Sequence, residues 1–118
     1  MTLLPETAAE LESLLQKLKN SEIAVIVEGK KDRAALEKLG IPSVRIFVLN
    51  SKPLFAVAEE IADDCKSVAI LTDLDAEGKR LYGKLNTLLE RLGVRIDNRL
   101  RDFLFKNTRI RQVEGLSF

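Results

Sequence analysis

Short runs of branched apolar residues alternate with amphipathic segments along this chain, and this alternation restricts its fold more than any other feature. The runs are 23-IAVIV-27, 44-VRIFVL-49 and 68-VAILT-72, and such runs are typical of strands that are buried on both faces. A strand, a helix and a second strand form the right-handed crossover of a parallel sheet. The sequence therefore predicts an α/β fold: a parallel four-stranded, Rossmann-like sheet, with 94-VRI-96 as its fourth strand and helices on both faces.

Helical spacing of apolar residues and the positions of turn residues set the expected element boundaries. Gly40 and Gly93 are suited to end helices, and a capping box is expected at Thr7-x-x-Glu10. The expected helices cover residues 5–19, about 31–39, 54–64 and a long stretch that ends at 92. The tail is expected to form a helical turn or two and then a strand over Arg109–Val113. One domain in three parts is predicted: an N-terminal amphipathic helix in residues 1–21, a core in 22–96 and a basic C-terminal extension in 97–118 that packs on the core.

A chain without histidine cannot build several common kinds of active site. The sequence contains no histidine and one cysteine, Cys65, which excludes Ser-His-Asp and Cys-His nucleophile pairs, internal disulfides and most transition-metal sites. Any metal would be a hard ion bound by oxygen, such as Mg²⁺, Mn²⁺ or Ca²⁺. No apolar run approaches the ~20 residues that cross a bilayer, and the N-terminus lacks the order of a signal peptide. We therefore expect a cytoplasmic protein without a membrane partner.

Acidic residues stand directly after two of the predicted strands. Glu28 ends the first strand, and Asp73, Asp75 and Glu77 follow the third at every second position. The carboxyl ends of parallel strands share one edge of the sheet, where sites form in such folds. If the first and third strands are neighbours, as in the 2-1-3 order of many doubly wound sheets, both acidic groups face one crevice. Crowded carboxylates repel each other unless a cation lies between them, so this spacing calls for an explanation, and the two acidic groups would then form one site.

Several known acidic motifs fit the triplet less well than a site shared with Glu28. A calcium-binding EF-hand loop needs a preceding helix and a glutamate at its twelfth position, where this chain has a predicted strand and Lys84. Phosphate-transferring hydrolases with an Asp-x-Asp nucleophile carry that pair after the first strand of the core. A receiver-like signalling domain stays as an outside alternative, although its first acidic site is usually a pair, where this chain has Glu28-Gly29. Simple helix capping, worth ~0.3–1 kcal/mol, also stays open.

Taken together, the two acidic stretches resemble the Toprim domain, the module shared by topoisomerases, bacterial-type primases, certain nucleases and recombination proteins. Its signature is Glu-Gly at the end of the first strand, usually with an Asp shortly after, and Asp-x-Asp followed by Gly after a later strand. This chain has 28-EGKKD-32 and 73-DLDAEG-78 in that order, and the resemblance covers roughly residues 22–96. It is similar to small primase-like members and to the small ribonuclease that matures 5S ribosomal RNA, whose Val-Glu near the end resembles Val113-Glu114.

The resemblance implies a role for each acidic residue after the strands. Glu28 becomes the general acid or base, and Asp73 and Asp75 become ligands of Mg²⁺ or Mn²⁺. Glu77 becomes a third metal contact. A divalent ion bound by carboxylates can neutralise phosphate oxygens and activate a nucleophile, which phosphodiester chemistry requires.

Three further residues of the motif are expected to support the site. Asp32 is implied as a supporting or helix-capping residue. Gly29 and Gly78 are expected to let backbone N–H groups approach a phosphate near helix N-termini.

Basic residues near the motif and in the tail are expected to bind nucleic acid. Residues 1–75 carry 9 Lys/Arg against 13 Asp/Glu, whereas residues 76–118 carry 10 against 5. An acidic cluster beside a basic surface suits a polyanion that is bound through a divalent cation. The candidate phosphate-binding residues are Lys30, Lys31, Lys79, Arg80, Lys84, Arg109 and Arg111, and the tail also contains Arg95, Arg99, Arg101 and Lys106. Phe103 and Phe105 lie among them and are expected to pack on the domain rather than to stack on bases.

These features lead to three hypotheses about function. The first is a Mg²⁺-dependent phosphodiester enzyme acting on nucleic acid, namely a small nuclease resembling the 5S RNA-maturing ribonuclease, with structured RNA as a candidate substrate. The second is a non-catalytic Toprim module that binds nucleic acid or a protein partner. The third is the receiver-like signalling domain.

Overall fold

Four parallel strands lie at the centre of the molecule, which a computed structural model describes over residues 3–116. The strands are β1 (Ala24–Val27), β2 (Ile46–Val48), β3 (Ser67–Ile70) and β4 (Arg95–Ile96), in the order β2-β1-β3-β4 across the sheet. Both β2 and β3 pair with β1 in parallel, and β4 pairs with β3 in parallel. The predicted α/β fold is therefore confirmed, and the first three strands have the 2-1-3 order on which the shared acidic crevice depends.

The strand β1 is buried on both of its faces. Val25 and Val27 belong to one hydrophobic cluster, whereas Ala24 and Ile26 belong to a second cluster. Successive residues of a strand point to opposite faces of the sheet, so the two clusters lie on opposite sides. A continuous apolar run is the sequence signature of this arrangement.

In residues 3–116, five helices cover the two faces of the sheet. Three contribute side chains to the first cluster: α1 (Pro5–Lys19), α2 (Lys30–Lys38) and α5 (Arg99–Asn107). Two contribute to the second: α3 (Leu54–Asp64) and α4 (Ala76–Arg91). Among the described residues, no helix is both long enough and apolar enough to span a membrane.

The predicted capping box at Thr7 and Glu10 is wrong. Helix α1 begins at Pro5, and Leu4 occupies the N-cap position without a side-chain hydrogen bond. Proline at the first helical position has a backbone angle suited to the helix and lacks the N–H that a cap would satisfy.

The beginning of the predicted second strand is a 3-10 turn, Ser43–Arg45, so β2 is shorter than expected. The Arg45 guanidinium donates hydrogen bonds to the carbonyls of Leu18 and Ile23, at 2.7 and 2.9 Å. These bonds connect the end of α1 to the beginning of β1. They also explain why the residue leaves the strand ladder.

The predicted strand over Arg109–Val113 is also wrong, because the tail folds back on the acidic loop instead of joining the sheet. The Leu74 N–H donates to the Arg111 carbonyl at 2.7 Å. Ile110 is buried in the same hydrophobic cluster as Leu74. Since Leu74 lies between the two aspartates of the motif, the tail holds the loop that carries them.

Candidate metal centre

Three of the predicted acidic residues meet at the carboxyl edge of the sheet. Glu28 follows β1, and Asp73 and Asp75 lie in the loop between β3 and α4. Each of the three offers a carboxylate oxygen, and these oxygens lie within 4.8 Å of one another. Because β1 and β3 are neighbours, the sheet brings together acids that are far apart in sequence.

Glu28 is tied directly to the second acidic loop. Its Oε2 accepts a hydrogen bond from the Asp73 N–H at 2.6 Å. A carboxylate that accepts a backbone N–H is held in one orientation, and charge-assisted bonds of this kind are short and strong. The other oxygen of Glu28 is left for a ligand.

Asp75 begins helix α4 as its N-cap residue. Its Oδ1 accepts a hydrogen bond from the Gly78 N–H at 2.7 Å. This bond satisfies one of the free backbone donors of the first helical turn, and it leaves the second carboxylate oxygen for a metal. Helix capping and metal binding are therefore compatible roles for this residue. The Gly78 N–H, expected from the sequence to approach a phosphate, is used in the cap.

The pKa of Asp73 is raised from 3.8 to about 6, chiefly because the carboxyl is partly buried. The negative charges of Glu28, Asp32, Asp75 and Glu114 raise it further. Burial and like charges both disfavour the ionised form, whereas a bound cation would favour it. The neighbouring carboxylates repel the ionised form of Asp73, and a bound cation would relieve this repulsion.

Asp32 supports the edge of this group from the first turn of α2. Its Oδ2 accepts a hydrogen bond from the Gly29 N–H at 3.0 Å, so the predicted helix-capping contact is present and this N–H is not free for a phosphate. The residue is 6% exposed, and its Oδ1 has no hydrogen-bond partner within the described part of the chain. Burial raises the pKa of Asp32, and the negative charge of Glu114 raises it further. The hydrogen bond from the Gly29 N–H lowers this pKa, but by less than burial raises it. A buried carboxylate oxygen of this kind needs a proton, a water or a cation.

The three carboxylates fit a hard divalent cation. Two oxygens on opposite sides of a Mg²⁺ lie about 4.2 Å apart, since each Mg²⁺–oxygen bond is about 2.1 Å long. Oxygens on neighbouring sides of the ion lie about 3.0 Å apart, so three carboxylate oxygens that lie within 4.8 Å of one another can converge on one cation when their side chains adjust. Mg²⁺ also commonly retains waters, so one carboxylate can contact it indirectly. The all-oxygen donor set agrees with a chain that has no histidine.

Glu77 lies outside this acidic group. Its carboxylate accepts two hydrogen bonds from the Arg80 guanidinium, at 2.6 and 2.9 Å. The hydrogen bond with Arg80 lowers the pKa of Glu77. In the described structure the Glu77 carboxylate is paired with Arg80, and its role as a third metal contact stays a prediction.

The candidate phosphate-binding residues fall into two groups. Lys30, Lys31, Lys84 and Arg109 are exposed. Arg111 is also exposed, but its guanidinium donates to the carbonyls of Thr108 and Ile110, at 2.8 and 3.0 Å, and so holds the chain after α5. Its role in the described structure is to support the fold.

An exposed aromatic ring lies between two of the cations. Lys79 and Arg111 approach the ring of Phe105, at 4.9 and 5.4 Å from its centroid. Phe105 is 48% exposed, whereas Phe103 is 6% exposed. The sequence predicts that both rings pack on the domain. Phe103 does so, whereas about half of Phe105 is exposed to solvent.

A buried arginine lies beneath the acidic loop, although the sequence places Arg101 only among the basic residues of the tail. Arg101 is 7% exposed. Its guanidinium donates to the carbonyls of Thr72 at 2.5 Å, Ile70 at 3.3 Å and Asp73 at 3.2 Å. It also lies 4.6 Å from the centroid of the Tyr82 ring. Burial lowers the pKa of Arg101, although Tyr82 and the acidic residues oppose this.

Arg101→Met should destabilise the protein by roughly 2–4 kcal/mol, because it leaves buried carbonyls of the acidic loop without their donors. Urea denaturation measures this change. Arg99→Met is the control, since Arg99 is an exposed neighbour on the same helix whose partner is Asp97, and we expect a much smaller loss. Equal losses in both variants would contradict a supporting role for the buried guanidinium.

Comparison with known proteins agrees with this geometry. The Toprim domain family model matches residues 23–101. The chain is 42% identical over 96 residues to a UPF0292 protein of Pyrococcus horikoshii, covering 81% of this chain and 71% of that protein. It is 32% identical over 103 residues to a UPF0292 protein of Methanocaldococcus jannaschii, covering 85% and 80%.

A solved structure of a protein from Aquifex aeolicus has the same fold. It superposes with a TM-score of 0.80 at 31% identity, covering 92% of this chain and 96% of that one. A Toprim domain with a carboxylate group that can hold a divalent cation indicates a metal-dependent function related to nucleic acid. The chain therefore belongs to the Toprim domain family, where it groups with the small UPF0292 proteins.

Proposed function

We propose that this protein is a Mg²⁺-dependent nuclease, in which Mn²⁺ can replace Mg²⁺, that hydrolyses a phosphodiester bond of nucleic acid. The observation that carries the proposal is the meeting of Glu28, Asp73 and Asp75 within 4.8 Å at the carboxyl edge of the sheet. Structured RNA is the first substrate class to test.

The residues of this site have separate roles in the proposed reaction. Asp73 and Asp75 would hold the cation, which when bound would supply charge neutralisation at the phosphate and lower the pKa of the attacking water. Glu28 is oriented by the Asp73 N–H, so its other oxygen can take a proton from water or give one to the leaving oxygen. Lys30 and Lys31 are exposed at the start of α2 and follow Glu28 closely in sequence. They bind phosphates of the nucleic-acid backbone, which gives affinity without recognition of the base sequence.

A screen for Mg²⁺- or Mn²⁺-dependent cleavage of structured RNA, single strands and duplexes tests the proposal. Glu28→Gln should lower the rate by about 10²–10⁴-fold, which is the usual contribution of a general acid or base. Asp75→Asn is a matched variant because asparagine is as good an N-cap as aspartate. Helix α4 should therefore stay intact while the metal ligand is lost. Glu77→Gln is the control and should keep most of the activity.

Three results of this screen separate the proposal from its alternative. Wild-type rates in Glu28→Gln and Asp75→Asn would show that the activity arises elsewhere. Binding to nucleic acid that persists in EDTA, with no turnover on any substrate, would favour the non-catalytic module. Cleavage that requires the metal and both residues supports the nuclease.

Metal affinity should depend on pH through Asp73. The metal binds the ionised carboxylate, and the pKa of this group is about 6 in the absence of metal. Protons therefore compete below that value, and we expect Mg²⁺ affinity to fall by about tenfold per pH unit below about pH 6. Calorimetric titration with Mg²⁺ between about pH 5 and 8 measures this. An affinity that stays constant over the whole range would contradict the role of Asp73 as a ligand.

A further inference from the structure

A cavity of about 570 Å³ opens beside Glu28, between α4 and the loop that joins β2 to α3. Its wall includes the cations Lys52 and Lys84 and the apolar side chains of Leu49, Leu54 and Leu81. Its volume lies within the ~300–1,000 Å³ of typical small-molecule sites. Glu28 belongs both to this cavity and to the acidic group, so the two sites are adjacent.

Two of the cations in the cavity wall are available to an anion. Lys52 and Lys84 are exposed, and neither forms an ion pair within the described residues. Arg80 also lines the cavity but is paired with Glu77. Lys52 comes from the β2–α3 loop and Lys84 from α4, so lysines on separate elements line the same cavity.

The apolar part of the wall comes from three elements of the fold. Leu49 follows β2, Leu54 begins α3 and Leu81 lies on α4. Leu49 is 4% exposed, whereas Leu54 and Leu81 are partly exposed. Apolar side chains beside free cations suit a ligand that has a flat apolar part and a phosphate.

The loop on one side of the cavity has an unusual backbone. Asn50 and Ser51 both have positive φ values, 42° and 64°, and both line the cavity. Residues other than glycine seldom adopt the left-handed region, and residues in sparsely populated backbone regions often cluster at ligand sites. The Asn50 N–H donates to the Glu28 carbonyl at 3.0 Å, so this loop is joined to the acidic site.

We infer that the cavity binds one nucleotide of the nucleic-acid strand, next to the phosphodiester that reacts at Glu28. Lys52 and Lys84 hold its phosphate, and the base lies against Leu49, Leu54 and Leu81. This inference rests on the proposed function and adds a substrate position to it.

Binding of a nucleoside 5′-monophosphate in EDTA tests the cavity without the metal centre. AMP is titrated by calorimetry into the wild type and into the Lys52→Ala/Lys84→Ala double variant. We expect at least about tenfold weaker binding in the variant, since phosphate contacts carry the affinity. The control is Lys17→Ala/Lys66→Ala, which removes the same charge from exposed lysines outside the cavity and should change affinity less than twofold. An equal loss of AMP affinity in the two variants would overturn the inference, because it would show that AMP responds only to the net charge of the protein.

Two further ligands identify what the cavity recognises. Inorganic phosphate should bind much more weakly than AMP, and equal affinity would show that no base is bound. A short oligoadenylate should bind more tightly than AMP and lose affinity in the Lys52→Ala/Lys84→Ala variant. Tighter binding of free AMP than of the oligonucleotide would overturn the assignment to a strand.

Failure of this inference is distinguishable from failure of the proposed function. Asp75→Asn should leave AMP binding in EDTA unchanged, because it alters only the metal centre. If no substrate is cleaved but AMP binding still requires Lys52 and Lys84, the nuclease proposal fails and the nucleotide cavity stands. If metal-dependent cleavage occurs with the same KM in the lysine double variant, the nuclease stands and the cavity assignment fails.

Discussion

Asp73→Asn should abolish binding of the divalent cation and at the same time stabilise the metal-free protein at neutral pH. The ionised Asp73 carboxylate is destabilised by burial and by four neighbouring acids. Asparagine has nearly the same shape but carries no charge, so it removes both the metal ligand and the repulsion. Residues at functional sites commonly reduce stability in this way.

The sign of the effect follows from the raised pKa. The folded protein binds a proton at Asp73 with a pKa of about 6, whereas the unfolded chain has the ordinary value of 3.8. Stability from this group is therefore fully present below about pH 4 and is lost as the pH rises through about 6. The full pKa difference corresponds to at most about 3 kcal/mol at pH 7, and solvent screening at this partly exposed site reduces the expected gain to roughly 1–2 kcal/mol.

Denaturant unfolding of both proteins in EDTA, at pH 7 and at pH 4, measures this prediction. The variant should be more stable at pH 7, and the difference should shrink towards zero at pH 4. Adding Mg²⁺ should stabilise the wild type alone, because only its native state binds the ion. A variant that is less stable than the wild type at pH 7 in EDTA would show that the acidic group is not under electrostatic repulsion.

Gly78→Ala should destabilise the protein by about 3 kcal/mol or more and displace the acidic loop. A Cβ atom added at Gly78 would lie 1.9 Å from the Asp73 carbonyl oxygen. Both groups belong to the backbone, so neither can rotate away as a side chain could. The first turn of α4 must therefore move, and it carries the Asp75 cap with it. Mg²⁺ affinity should fall together with stability.

Gly83→Ala is the matched control, because it makes the same change on the same helix. Apart from the chain neighbours and the nearby backbone of α4, no atom of the described residues lies within 4 Å of a Cβ built at Gly83. Alanine is the better residue in a helix interior, so this variant should gain about 0.5–1 kcal/mol. Thermal or urea unfolding compares the two variants with the wild type. Similar stability in both would mean that α4 and the Asp73 loop do not approach as closely as described.

The glycine of the acidic motif has a different role from the one that the sequence suggests. From the sequence, Gly78 is expected to let a backbone N–H reach a phosphate. In the structure its N–H caps α4 through Asp75, and the Asp73 carbonyl excludes a side chain there. The motif spacing indicates that a small residue is needed, but only the distance between the two backbones shows why.

The ion pair between Glu77 and Arg80 is a second feature that the sequence pattern did not predict. The family resemblance implies a metal contact for Glu77 beside those of Asp73 and Asp75. The beginning of α4 places Glu77 three residues before Arg80 on a helical surface, where side chains at this spacing meet. The partner of Glu77 depends on where the helix starts, and local patterns do not define that boundary to the residue.

Patterns among neighbouring residues were enough to predict the α/β class and the acids at the carboxyl ends of the first and third strands, whereas the 2-1-3 order that brings these acids together was only assumed and is shown by the folded sheet. They were enough because apolar periodicity reports burial and because the acids directly follow the strands. The Glu28–Asp73 hydrogen bond joins residues 45 positions apart, and it became visible only in the folded molecule. The same is true of the raised pKa of Asp73 and of the burial of Arg101 beneath its loop. Burial and contacts between distant residues depend on how helices and strands pack, and no local pattern records them.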